Sequence, residues 1–277
     1  MSMNEILANP GVQAGLIPFI VSFVLAGLLI RAGGWSGLGI LAGFIILVLL
    51  TTGIQFSPLT STRKILLLIL LSASLGGVLH VLKLEIKRFQ AVFVLCGIAA
   101  MLWVLWPYLM RQELLHLLVV ASGLGLFNAW MFVSFLSQKN ISNIASSASI
   151  SATGFGVGGA ALLGASALLG QMGIAIGSAA FGMLAIAVLT KKSGQASYLA
   201  TSVAGLGLGL ITGAAIIYAK LPWYTAFIFM TIPVLARIGL SNDQSLLMRA
   251  VIWFGICMVP AALAIFLSWN AAGPALY

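Results

Sequence analysis

The chain has 277 residues, of which 62% are hydrophobic and only 6% are charged, and its formal net charge is +9. Soluble domains carry about 25% charged residues. The composition therefore excludes an ordinary soluble domain and predicts an integral membrane protein. The basic excess does not indicate nucleic-acid binding, because the lysines and arginines stand singly or in small groups at the ends of apolar segments, where they act as topology signals.

Ten apolar segments are each long enough to cross the hydrocarbon core, for which a helix needs about 20 residues. We predict spans at 12–30, 36–54, 65–82, 91–110, 114–136, 146–169, 172–190, 197–219, 222–240 and 248–268. They form one all-α transmembrane domain over residues 1–277, a polytopic helix bundle. We expect the first span to stay in the mature protein, because no basic region precedes it and no small-residue cleavage pattern follows it.

The division between the sixth and seventh spans is the weakest. Only Gly170 and Gln171 separate them. A broken or re-entrant helix within 142–190 is therefore the alternative to two full spans.

Lysine and arginine are divided unequally between the two sides of this bundle. With the N-terminus outside the cytoplasm, nine of the 13 basic residues fall in inner loops and four in outer loops. The positive-inside rule then places both termini outside the cytoplasm. We expect a bacterial inner-membrane protein with periplasmic termini, although the pair Arg63 and Lys64 lies on the less basic side.

The two halves of the chain show local similarity. Residues Ala42–Thr51 resemble Phe181–Thr190, and each segment belongs to the second span of its half. This favours repeat halves 12–136 and 146–268, inverted because each has five spans, as in many secondary transporters. Apolar helices also match by chance, so both interpretations stay open. The layout is similar to that of drug/metabolite transporters and of auxin-efflux or bile-acid type carriers, but their signature motifs do not occur, and no family is assigned.

Small residues dominate the stretch from 142 to 213. Glycine disfavours helices in water, but in a bilayer the backbone must satisfy its own polar groups, so these segments are helical. Small residues then let helix backbones approach closely. Four-residue spacings predict close helix packing at Gly154, Gly158, Gly173, Gly177, Gly205, Gly209 and Gly213.

Residues able to support catalysis or metal binding are few. The four acids all fall in loops or at helix ends: Glu5, Glu85, Glu113 and Asp243. A carboxylate buried in a span, which proton- or sodium-coupled carriers often use, is therefore missing. The histidines His80 and His116 lie at opposite membrane faces. We predict neither a metal site nor a cofactor.

One short motif resembles that of a membrane enzyme. The sequence Gly34-Trp35-Ser36-Gly37 has the form of the rhomboid-protease nucleophile motif, with His80 in the same leaflet. The sequence around His80 lacks the context of the rhomboid base. We therefore interpret Ser36 as the N-cap of the second span and predict no catalytic site, so an intramembrane enzyme is the third functional alternative.

Uncharged polar residues lie deep in the predicted bundle. Asn128 is the deepest amide, Ser149, Ser151 and Thr153 follow in the sixth span, and Pro233 in the ninth span frees a backbone carbonyl by lacking an N–H. One interpretation is a solute lane lined by these five residues. The alternative is local bonding, since serine and threonine hydroxyls also bond carbonyls of their own helix.

Two functional hypotheses follow. The first is a small secondary carrier or permease for a small neutral or zwitterionic solute, because the lane offers donors and acceptors without charge. The second is a non-transporting subunit or scaffold of a larger membrane complex, favoured by the absence of buried charge and by the large apolar surface. The expected partners are the lipid bilayer and other membrane subunits or further copies of the chain, and not nucleic acid.

Overall fold

The computed structural model describes residues 9–53, 57–238 and 244–273. Within these ranges the chain forms ten α-helices and no β-strand. The helices are α1 (Ile17–Leu29), α2 (Leu38–Thr51), α3 (Ser61–Leu82), α4 (Gln90–Leu109), α5 (Leu114–Leu136), α6 (Asn143–Leu163), α7 (Ala167–Leu189), α8 (Tyr198–Tyr218), α9 (Tyr224–Leu235) and α10 (Leu246–Ala272). A π-helical turn precedes α1, and short 3-10 helices precede α2 and α4 and follow α5. The prediction of an all-α bundle of membrane type is confirmed.

Eight helical segments of the described chain are long and apolar enough to cross a membrane. Of the other two helices, α6 is long enough but is made less apolar by its serine, threonine and glycine residues. Helix α9 has 12 residues and is about 18 Å long, well short of the ~30 Å hydrocarbon core. The predicted span 222–240 was therefore too long at both ends of α9, and residues 239–240 lie outside the described ranges.

The boundary between α6 and α7 differs from the prediction. Helix α6 ends at Leu163 rather than near residue 169, and α7 begins at Ala167. Ala165 adopts the left-handed conformation, with φ of 68°, and the Ser166 hydroxyl accepts a hydrogen bond from the Leu169 N–H. An N-cap serine directly after a left-handed residue starts a new helix. Gly170 and Gln171 lie inside the first turns of α7, so residues 143–189 form two separate helices.

Helix α8 lies at the centre of the bundle. Every residue from Tyr198 to Ala215 is buried. The helix packs mainly against α3 and α5, and it also contacts α2, α4, α6 and α7. A Cβ placed on Gly205 would lie 2.9 Å from the Phe135 Cβ, and Cβ atoms on Gly209 and Gly213 would collide with Asn128 and Met101. The glycine face of α8 therefore receives side chains from α5 and α4.

Backbone contact joins α6 and α7. A Cβ placed on Gly154 would lie 2.5 Å from both the Cα and the nitrogen of Gly177, and one on Gly173 would lie 2.7 Å from the Gly158 nitrogen. The Ser151 hydroxyl also donates a 2.9 Å hydrogen bond to the Gly177 carbonyl. These two helices approach closely because the four glycines leave no side chain between them.

The remaining helices surround this centre. Helices α1 and α2 pack on α7, and α10 packs on α6, while α9 lies against α10, α6 and α5. Helices α4 and α5 form a close pair beside α8. The contacts of α2 with α7 and of α3 with α8 join the two halves of the chain, and the inverted repeat itself stays a prediction.

A buried lysine lies between α3 and α4. Pro107 lies inside α4 and lacks the N–H that would bond the Trp103 carbonyl. The Lys64 Nζ donates a 2.9 Å hydrogen bond to that carbonyl and lies 5.5 Å from the Trp103 ring centroid. The lysine therefore satisfies a backbone acceptor between α3 and α4, which gives this basic residue a structural role.

We predict that Gly154→Ala lowers the free energy of unfolding by about 1–3 kcal/mol, the range for overpacking a tight core. The reason is the 2.5 Å separation between the added Cβ and the Gly177 backbone. The matched control is Gly255→Ala in α10, where an added Cβ meets no atom within 4 Å. Thermal unfolding in mild detergent provides the measurement, and equal stability of the two variants would contradict the packing assignment.

Candidate functional site

Asn128 is fully buried between three helices. Its Nδ2 donates a 2.7 Å hydrogen bond to the Gly97 carbonyl of α4, and its side-chain oxygen faces Gly209 of α8. That oxygen has no hydrogen-bond partner among the described residues. The amide points inward, as a polar group in hydrocarbon must, and it connects α4, α5 and α8.

A buried glutamine organises a second polar cluster, which we call the Gln138 cluster. The Gln138 Oε1 accepts 3.0 Å hydrogen bonds from the hydroxyls of Ser146 and Ser149, and its Nε2 donates to the Pro233 carbonyl at 3.2 Å. That carbonyl belongs to the last turn of α9, where helix carbonyls lack intrahelical partners. The cluster therefore ties the end of α5 to the start of α6 and the end of α9.

The other predicted lane residues have separate partners. The Ser151 hydroxyl donates to Gly177 of α7, and the Thr153 hydroxyl donates a 2.7 Å hydrogen bond to the Ser149 carbonyl of its own helix. The structure thus brings Ser149 and Pro233 together through Gln138, whereas Asn128 bonds to α4, Ser151 bonds to α7 and Thr153 bonds within its own helix. Whether water reaches these positions stays a prediction.

A large cavity lies elsewhere, between α5 and α9, and we call it the α5/α9 groove. Its volume is about 1370 Å³. The α5 wall includes Val120, Gly123, Phe127 and Trp130, which recur every three or four residues and so occupy one helix face. Helix α9 and the two ends of α8 contribute further walls, through Trp223, Ala226, Phe227, Met230, Tyr198, Ile216 and Ile217.

One end of the groove is basic. Four cationic side chains line it, together with one acid: Lys83, Lys87, Lys139, Arg237 and Glu85. The Lys139 Nζ lies 4.0 Å from the Tyr198 ring centroid, and the Arg237 guanidinium donates to the Ser134 carbonyl at 2.9 Å and to the Ser137 hydroxyl. The first pairing is a cation–π contact, and together these contacts hold two of the four charges in place.

The length of the groove is apolar and opens sideways. Leu126 and Phe227, which line it from α5 and α9, are each 60% exposed. Trp130 is also exposed, and its Nε1 donates a 3.4 Å hydrogen bond to the Met230 carbonyl. In a membrane such exposed apolar residues face lipid, so the groove communicates with the bilayer along its side.

The residues of the protease-like motif make packing contacts with neighbouring helices. The His80 ring lies edge-on to Trp35, with centroids 5.6 Å apart, and fills the space beside Gly34. The Ser197 hydroxyl donates to the Gly34 carbonyl. Ser36 does not cap α2, contrary to the prediction, because it lies inside a 3-10 helix and the cap position is Gly37, which makes no side-chain hydrogen bond.

Comparison with known proteins gives no functional assignment. No protein-family model matches the chain, and no curated protein has a significantly similar sequence. The structure itself therefore carries the functional argument.

Sequence reasoning missed the groove and Gln138. The groove-lining residues of α5 are ordinary apolar residues, and the basic residues at its end also serve as topology signals, so neither group stands out. Gln138 follows α5 in a short polar segment and resembles a loop residue, yet it is fully buried. Its position eight residues before Ser146, across a helix connection, was the only available signal.

We predict that Gln138→Met lowers the free energy of unfolding by about 1–3 kcal/mol, the cost of leaving buried polar groups unpaired. The Pro233 carbonyl and the Ser146 and Ser149 hydroxyls would lose their shared partner. Gln90→Met is the matched control, because Gln90 is exposed at the start of α4. Denaturation in mild detergent measures both variants, and an unchanged Gln138→Met protein would show that the cluster contributes nothing to stability.

Proposed function

We propose that the protein is a membrane carrier or permease whose solute binds in the α5/α9 groove. The observation that carries the proposal is a cavity of about 1370 Å³ between helices of the two halves of the chain. Secondary transporters bind their substrates near the midplane, between structural halves and beside interrupted helices. Helix α9, short and containing Pro233, borders this groove.

The packing of the bundle supports this role. Glycine contacts hold α6 against α7, and the glycine face of α8 packs against α4 and α5, whereas α9 meets α5 through a few side-chain hydrogen bonds. Rigid-body movement of one group of helices against another is the usual mechanism of alternating access. The boundary between α5 and α9 is sparse, so such a movement would break few contacts there.

The groove changes the expected solute. The expectation of a small neutral or zwitterionic solute rested on an uncharged lane, but the groove has four basic residues and one acid at its end. Its volume also exceeds the roughly 300–1,000 Å³ of small-molecule sites. These properties favour a larger solute that carries negative charge.

The proposal keeps the remaining sequence-based expectations. The protein acts in a bacterial inner membrane with both termini on the periplasmic side, as the distribution of basic residues indicates. The basic end of the groove then faces the cytoplasm, since Lys83, Lys139 and Arg237 follow helices that run inward. The proposed role is transport and involves no catalytic chemistry.

The test uses a cysteine at Gly123. This residue lines the groove, and an added Cβ there meets no atom within 4 Å. It lies nine residues into α5, roughly 14 Å from the start of the helix. In proteoliposomes of a variant without Cys96 and Cys257, we predict that a charged, water-soluble thiol reagent labels Gly123→Cys, because the solute pathway of a carrier opens to water during each transport cycle.

The matched control is Gly255→Cys. Gly255 is also an open glycine in the middle of a helix, but it lies on the exposed face of α10, outside the groove. It should stay unlabelled in the bilayer and become labelled after denaturation. An unlabelled Gly123→Cys in folded protein would contradict a solute pathway through the groove.

The sideways opening also favours a second candidate, a non-transporting subunit whose partner inserts an apolar helix into the groove. In that case a stoichiometric membrane protein should co-purify in mild detergent. Gly123→Trp would fill the groove and abolish that association, whereas Gly255→Trp would leave it intact. A monodisperse chain without a partner would remove this alternative.

A further inference from the structure

The α5/α9 groove combines a charged end with an apolar length. The lining residues of α5 and of the 3-10 turn that follows it extend from Val119 to Ser137, about 27 Å at 1.5 Å per residue. This length approaches the ~30 Å of the hydrocarbon core. The basic end therefore lies at the level of the lipid headgroups, and the apolar length lies at the level of the hydrocarbon chains.

The positive charge at the basic end is not neutralised within the described part of the chain. Lys83, Lys87, Lys139 and Arg237 form no ion pair with a described carboxylate, although Glu85 shares the cavity. Lys139 rests on Tyr198, and Tyr198 in turn donates a 2.9 Å hydrogen bond to the Leu84 carbonyl. Basic pockets between membrane helices on the cytoplasmic side suit phosphate headgroups, and arginine suits them through its planar set of donors.

The sideways opening determines how a ligand enters. Leu126, Trp130 and Phe227 are exposed where the groove meets the bilayer. A molecule already dissolved in the membrane can enter between α5 and α9 without leaving the hydrocarbon. A free polar ion would gain nothing from this apolar length.

We propose that the groove binds an anionic phospholipid, with its phosphate headgroup at the basic end and a hydrocarbon chain along α5 and α9. This inference rests on the proposed function, because it names the solute class of the same groove. The phosphate meets Lys139 and Arg237, and Lys83 and Lys87 add long-range attraction. The chain lies against Phe127, Trp130 and Met230.

The test is a lipid titration of the purified full-length protein in a neutral maltoside detergent. Thermal stability is followed against dioleoylphosphatidylglycerol, dioleoylphosphatidylcholine and inorganic phosphate. We expect phosphatidylglycerol to stabilise the protein at much lower concentration than phosphatidylcholine, and inorganic phosphate to have no effect. Each basic residue near a membrane surface contributes about fivefold to the affinity for anionic lipid.

Charge-neutralised variants locate the site. Lys139→Gln combined with Arg237→Gln should raise the half-saturating phosphatidylglycerol concentration roughly 25-fold, on that estimate for two charges. Lys191→Gln combined with Lys192→Gln is the matched control, because these exposed lysines follow α7 on the same side of the bundle but do not line the groove. Lys87→Gln, which removes no hydrogen bond of the described structure, provides a second test with a roughly fivefold effect should the double variant not fold.

Three results would overturn the inference: equal stabilisation by the two lipids, equal affinity in the groove and control double variants, or stabilisation by inorganic phosphate alone. Failure here is distinguishable from failure of the carrier proposal. A labelled Gly123→Cys without lipid preference leaves a carrier with another solute. Specific lipid binding with an unlabelled Gly123→Cys indicates a resident lipid in a protein that does not transport through the groove.

Discussion

Contact between the backbones of α6 and α7 is the interaction on which the rest of the bundle depends. In a bilayer the hydrophobic effect does not drive helices together, because lipid tails are as apolar as the helix surfaces. Helices therefore associate through close packing and hydrogen bonds. Gly154 and Gly177 supply the packing, and the bond from Ser151 to the Gly177 carbonyl supplies the polar contact. Because α10 packs on α6 and α1 packs on α7, both outer layers take their positions from this pair.

The α5/α9 groove is the consequence of a different kind of contact. Helix α9 has no glycine, and it meets α5 through Trp130, Gln138 and Arg237, whose hydrogen bonds go mostly to backbone carbonyls. Three of these bonds, one from Gln138 and two from Arg237, lie at the basic end, and the bond from Trp130 lies midway, so the helices remain separated along much of their length. Side-chain hydrogen bonds can join the ends of two helices even when the helix surfaces between those ends do not pack against each other. The same bonds that anchor α9 therefore leave a cavity beside it.

The sequence predicted the features that follow from regular residue spacing or from the requirements of the bilayer. Ten apolar segments indicated ten helices, and glycines at four-residue intervals indicated faces such as Gly205 and Gly209. What it could not indicate depends on contacts between distant segments. The start of α7 required recognising Ser166 as a cap after a left-handed Ala165, and apolar composition alone carries no signal for that. The groove is formed by residues on four different helices and on the connections between helices. Each of these segments taken alone shows only apolar periodicity or basic residues that act as topology signals.

An electron cryomicroscopy structure of the protein in nanodiscs containing phosphatidylglycerol would test the central claim most directly, namely that a glycine-packed centre leaves an open, ligand-sized groove beside α9. The account predicts α6 and α7 in backbone contact at Gly154 and Gly177, and a separate space between α5 and α9 that reaches Lys139 and Arg237. A structure in which α9 packs along the whole of α5 and closes that space would contradict it, as would α6 and α7 held apart by lipid.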